Sequence, residues 1–135
     1  MKLASTEQAQ VEVERARARK KRVVLADGHF DLLQVGHIRY LEAARADGDY
    51  LVVGVYDDAS TRRLHGEGRP ILEAEARAEL VAGLEAVDLV VIFEGDDGSA
   101  LSEVLEPDVH RKGSTPGASD HTGGFIASVL TRTAK

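Results

Sequence analysis

The 135-residue sequence contains no cysteine, which excludes a disulfide framework and a thiolate metal site. It has no apolar run of membrane-spanning length, and its amino-terminal stretch lacks the apolar core of a signal peptide. A cytoplasmic protein with no membrane partner is therefore the default expectation. The basic excess that a general nucleic-acid binder needs is also missing, because the formal net charge is -6. A small anionic ligand is still allowed, since a local cluster of cations can hold one on an acidic protein. What is present is the make-up of an ordered domain. Hydrophobic residues are 43% and charged residues 30% of the chain, enough for one domain with a real core.

The chain is organised around residues 23–41, VVLADGHFDLLQVGHIRYL. Val23-Val24-Leu25-Ala26 is an uninterrupted apolar run, as in a strand buried on both faces. Asp27-Gly28 breaks it. Gly36-His37 then precedes Ile38, Leu41 and Ala44, which share one face of a helix expected over residues 35–46. A strand that feeds a helix through a glycine-containing loop is a phosphate-binding geometry. The helix start offers unpaired N–H groups and the positive end of its dipole, and glycine lets a ligand approach the backbone.

Upstream, residues 1–22 are rich in Ala, Glu, Gln and Arg. Ser5 and Gln8 have capping-box spacing, with acidic residues early and basic residues late, which suits a solvated helix on the domain edge. The alternation of Val11 and Val13 with Glu12 and Glu14 has strand period, but the composition favours helix. A basic patch over residues 15–22 is the lesser reading. Downstream, residues 50–56 and 89–93 read as further buried strands, with a fourth over 109–111 and a last over 125–130. A short helix capped by residues 57–61 and running through Thr61-Arg62-Arg63-Leu64, another over 99–105, and a long one over 72–84 are expected. Residues 113–124 form a Gly-, Ser- and Thr-rich loop. This β-α-β alternation predicts a doubly wound α/β domain with its ligand site at the carboxyl ends of a parallel sheet. Residues 27–37, 57–66, 94–98 and the stretch from Lys112 end at that edge. They bring His29, His37, Arg62, Arg63, His65 and Lys112, with Arg69 shortly after the second segment, to one rim, a seat for a polyphosphate.

The string from Gly28 to His37, GHFDLLQVGH, resembles the G-x-F-D-x-x-H-x-G-H signature of the cytidylyltransferase-like nucleotidyltransferases. It is most similar to the adenylyltransferase half of the enzymes that make ADP-heptose, with glycerol-3-phosphate cytidylyltransferase as a close cousin. The resemblance extends through Asp57-Asp58-Ala59-Ser60-Thr61, Gly68-Arg69-Pro70, Leu84-Glu85-Ala86-Val87-Asp88 and Pro107-Asp108-Val109 to Lys112-Gly113. It implies a Rossmann-like, three-layer αβα fold, with residues 1–22 as a helical extension and 23–135 as the nucleotidyltransferase domain. It further implies that a phosphate oxygen of a sugar or polyol attacks the α-phosphorus of ATP or CTP and expels pyrophosphate. Mg2+ would accompany the triphosphate, held mostly by water and phosphate oxygens. Homodimers are common in the family.

By the same resemblance, Gly28, His29, Phe30, Asp31, Gly36, His37, His65, Arg69, Arg77 and Gly113 are candidate nucleotide contacts. His37, Gln34, Arg62 and Lys112 are the candidate catalytic set. Read without the family, His37 could be a cap and His29 a surface-loop residue. Arg77 could pair with Glu73 one turn earlier. Asp31 could hold its loop through backbone N–H groups, a structural role at least as strong as substrate contact. Arg62 and His65 could be a solvated helix end.

Two departures stand out. The first histidine of H-x-G-H is Gln34, whose amide can donate but never becomes cationic. Losing that option costs on the order of 2–3 kcal/mol of transition-state stabilisation, by analogy with one oxyanion donor. Ser114-Thr115-Pro116 stands where the family has an aspartate after Lys-Gly, and the closing Ile-Ser-Thr-Thr-like stretch is not found. These departures motivate the alternative of a catalytically impaired relative that binds nucleotide in a regulatory or assembly role. A domain detached from a larger bifunctional chain is a third reading.

Overall fold

The computed structural model describes residues 2–112 and the backbone of residues 128–131. Gly113, the rest of the loop up to residue 124, and the first three residues of the expected last strand lie outside the described residues. In chain order the elements are β1 (Leu3–Ala4), α1 (Thr6–Ala18), β2 (Val23–Gly28), α2 (Val35–Ala46), β3 (Tyr50–Tyr56) and α3 (Asp58–His65). They continue with α4 (Ala74–Ala82), β4 (Leu89–Phe93), α5 (Ser99–Leu105), β5 (Val109–Lys112) and β6 (Ser128–Thr131).

β2 runs two residues past the apolar run, through Asp27 and Gly28, and all six of its residues are buried, as in a central parallel strand. The sheet order is β1-β4-β3-β2-β5-β6. Five strands run parallel, and β6 pairs antiparallel with β5. Successive residues of each strand face opposite layers. Val24 and Ala26 enter one core with Tyr40, Leu41 and Ala44 of α2 and Ala78 and Val81 of α4. Val23 and Leu25 enter the other with Ala9, Val13 and Ala16 of α1 and Leu101 and Leu105 of α5. The result is the three-layer, doubly wound α/β fold.

The amino-terminal helix is packed as well as solvated. Ser5 and Gln8 form the reciprocal cap, and α1 lies against the domain. It covers a sheet face with three buried residues, and the residues before it add β1 beside β4. Fully burying a valine such as Val13 contributes roughly 1.5–3 kcal/mol.

From β2 the chain winds outward through β3 to β4, then crosses back through α5 to place β5 on the other side of β2. The carboxyl ends of β2 and β5 therefore flank the point where strand order reverses, which is where such sheets open a crevice. Among the described residues, no helix is long and apolar enough to cross a membrane.

Candidate functional site

At the end of β2 the chain turns sharply. Phe30 adopts φ 52, a conformation that non-glycine residues rarely take, and its ring is buried. The ring folds back over Gly28, where an added Cβ would come within 2.8 Å of it. The glycine is thus required for close approach. Four residues on, exposed Gln34 caps α2 in an extended conformation. Its backbone N–H donates to His37 Nδ1 at 2.8 Å. The His37 ring is 8% exposed and meets Phe30 edge-on at 5.5 Å. Burial lowers its pKa, so the ring is neutral. With Nδ1 accepting, the proton sits on Nε2. The same turn presents the first amides of α2 and the positive end of its dipole.

His29 is held on several sides. Its ring stacks on Tyr56 at 4.1 Å and 11° and meets His65 at 4.1 Å. Its Nδ1 lies 2.8 Å from Thr61 Oγ1. Its pKa falls to about 3, first through burial, then through His65 and Arg77, with Asp31 opposing. His29 therefore cannot supply the positive charge that Gln34 lacks.

Asp31 is a loop clamp. It accepts from the backbone N–H groups of Ile71 and Leu72 and from Arg69 Nη1 at 3.0 Å. Burial alone would raise its pKa, but the Leu72 and Ile71 amides and Arg69 together hold it below the usual carboxylate range. Arg69 is thereby engaged with Asp31, half-exposed at the rim. Arg77 departs from the surface reading. Its side chain is fully buried, and the surface pair with Glu73 does not form. Instead it donates to Leu72 O, His29 O and Asp58 Oδ1 at 2.7–2.9 Å. Arg77 thus supports the His29 turn from behind.

The rim itself carries exposed Arg62 and His65 at the end of α3 and half-buried Lys112 at the end of β5. Arg63 is tied to Asp96 at 2.7 Å. The backbone of Gly95 donates to Ser60 Oγ at 3.1 Å, so the loop after β4 joins α3 as the winding rule predicts. A separate surface depression, lined by Lys2, Leu3, Gln8, Tyr50 and Asp88, lies at the amino ends of the strands, away from this chemistry.

Sequence reasoning missed one group. Asp27 at the end of β2 is buried, and its two oxygens meet the Tyr56 hydroxyl at 3.0 Å and His110 Nε2 at 2.7 Å. Asp27 read only as the residue that breaks an apolar run, and His110 only as a strand residue. Their pairing spans 83 positions and has no local signal.

A doubly wound sheet whose first central strand hands over to a capped helix, with an imidazole and cations around that turn, defines a nucleotide-binding α/β domain. The cytidylyltransferase-like family profile matches residues 25–116, and the chain belongs to this family of nucleotidyltransferases. It is 48% identical over 120 residues to the Bifunctional protein HldE of Pseudomonas aeruginosa strain PAO1, covering 89% of this chain and 25% of that protein. It is likewise 45% identical over 130 residues to the Bifunctional protein HldE of Pseudomonas putida strain GB-1, covering 96% of this chain and 27% of the relative. The chain thus spans about a quarter of the length of these relatives. A solved structure, the lipopolysaccharide core biosynthesis protein of Thermoplasma volcanium GSS1, is similar at 34% identity and a TM-score of 0.58. That match covers 65% of this chain and 70% of the other.

Proposed function

We propose that the chain transfers a nucleoside monophosphate from ATP or CTP to a sugar or polyol phosphate, releasing pyrophosphate. ATP with a heptose 1-phosphate is the leading pair, on the likeness to ADP-heptose synthesis. CTP with glycerol 3-phosphate is second. The observation that carries the reading is the fixed tautomer of His37. A neutral ring whose Nδ1 accepts from the Gln34 amide carries its proton on Nε2, at the start of α2.

In this scheme an acceptor phosphate oxygen forms a bond to the α-phosphorus while the bond to the bridging α–β oxygen breaks, and pyrophosphate leaves with that oxygen. Such a transfer needs alignment and charge stabilisation more than covalent help. Backbone amides of the Gly28–Phe30 turn and of the α2 start would hold the α-phosphate. Arg62, His65 and Lys112 would meet the remaining phosphates from the rim. Gln34 would contribute a neutral amide donor.

On the family resemblance, a magnesium ion would arrive on the triphosphate, keeping water and phosphate oxygens as ligands. Bound there, it would neutralise phosphate charge.

Pyrophosphate release with each triphosphate and acceptor tests the scheme. Turnover is expected, lost by about 100-fold or more in His37→Ala. Gln34→His should raise it roughly 10- to 100-fold, by restoring a donor that can become cationic. Tight nucleotide binding with no release in either the native chain or Gln34→His would instead identify a binding-only relative.

A further inference from the structure

We propose that Asp27 and His110 are a positioning pair for this site, acting through Tyr56 to fix the His29 ring as a nucleotide contact. The inference rests on the nucleotidyltransferase reading for what His29 meets, and on geometry alone for how His29 is held.

The pair sits at the strand-order reversal, Asp27 ending β2 and His110 in the neighbouring β5. They are 2% and 4% exposed. A carboxylate only accepts, so the Tyr56 hydroxyl donates to Oδ1 and His110 Nε2 carries the proton toward Oδ2. Gly98 at the cap of α5 closes over them, and a Cβ there would overlap both Asp27 Oδ2 and the His110 ring. Stability alone does not call for such a group. Well-packed apolar residues in place of a buried ion pair are often as stable or more so. What a hydrogen-bonded group adds is direction. The Tyr56 ring is pinned through its hydroxyl and packed against Phe93 at 4.5 Å. Its ring meets the His29 ring nearly parallel.

His29 is then over-determined. Tyr56 and His65 meet its ring, Thr61 takes Nδ1, and Arg77 Nη1 holds its backbone carbonyl at 2.7 Å. Among the described residues its Nε2 has no hydrogen-bond partner. With the Thr61 hydroxyl donating to Nδ1, the neutral ring offers one directed N–H to a phosphate oxygen. The charged or titratable groups that act on it are His65 and Arg77, which with burial leave it neutral at physiological pH, and Asp31, which opposes them. The contact therefore stays constant through the neutral range.

The test follows the His29 ring by proton NMR between pH 7.5 and 4.5, its signal assigned with His29→Gln, in the native chain and in Tyr56→Phe and Asp27→Asn. The native ring is expected not to titrate. In both variants the His29 ring should lose its NOEs to the ring at position 56 as the stack loosens, and KM for the triphosphate should rise about tenfold while kcat changes less. Tyr56→Phe keeps the aromatic ring and removes only the hydroxyl, so it decides the matter should Asp27→Asn fail to fold. Unchanged ring NOEs and an unchanged KM in Tyr56→Phe would overturn the proposal. Should the native chain neither bind nor turn over any triphosphate, the nucleotidyltransferase reading fails instead, and the ring NOEs still decide whether the pair positions His29.

Discussion

His29 shows what one residue's surroundings do to its chemistry. In the sequence it is one polar member of a loop; in the fold it is a ring stacked on Tyr56, met at a tilt by His65 and held neutral. That neutrality has a cost in acid. The unfolded chain protonates His29 near its ordinary value of 6.5, whereas the folded chain does so only near 3. The unfolded state then binds more protons, so stability falls as pH drops below 6.5, and it goes on falling to about 3. Above pH 6.5 the contribution is fully present. Urea midpoints measured from pH 7.5 to 4 should therefore fall less steeply in His29→Gln than in the native chain. Equal slopes would mean that His29 is solvated. The resemblance in the sequence located this residue but not its protonation state, because the groups that set it come from β3, α3 and α4.

At the scale of elements, α2, β3, β4 and α5 run as the apolar patterns predict, because glycine, aspartate or proline marks their ends. Two elements did not follow from pattern. A two-residue β1 has no periodicity to detect; it is held by its pairing with β4, where Val90 N–H donates to Lys2 O at 2.9 Å. The fourth helix begins at Ala74 rather than Leu72, because Asp31 takes the Ile71 and Leu72 amides and Asp58 takes that of Ala74. Those amides are fastened to two other loops. Arg77 completes the assembly by joining Leu72, His29 and Asp58 from within. Removing it takes a donor from each of three acceptors, of which Asp58 keeps the Ala74 amide, so Arg77→Met should lower unfolding free energy by about 3 kcal/mol. Arg77→Lys should not restore it, since an ammonium lacks the planar fork that spans all three. Denaturant unfolding of the three proteins checks this; full stability in Arg77→Lys would count against a forked clamp.

For the whole molecule, topology accounts for the site. An acidic chain places its rim cations, Arg62 and Lys112, at the carboxyl ends of the strands, on either side of the turn from β2 into α2. The alternation of strands and helices made that edge legible in advance. The buried Asp27–His110 pair behind it was not, because only the crossover through α5 brings β5 beside β2.

The central claim is that a nucleoside triphosphate is held at the turn from β2 into α2. Amide NMR spectra recorded while ATP or CTP is added to the 15N-labelled chain test this most directly. Shifts should concentrate at Gly28–Phe30 and at Gly36 and His37, and His37→Ala should weaken the fitted affinity by roughly tenfold or more. Shifts confined to Lys2, Tyr50 and Asp88 at the amino ends of the strands, with this turn unmoved, would contradict it.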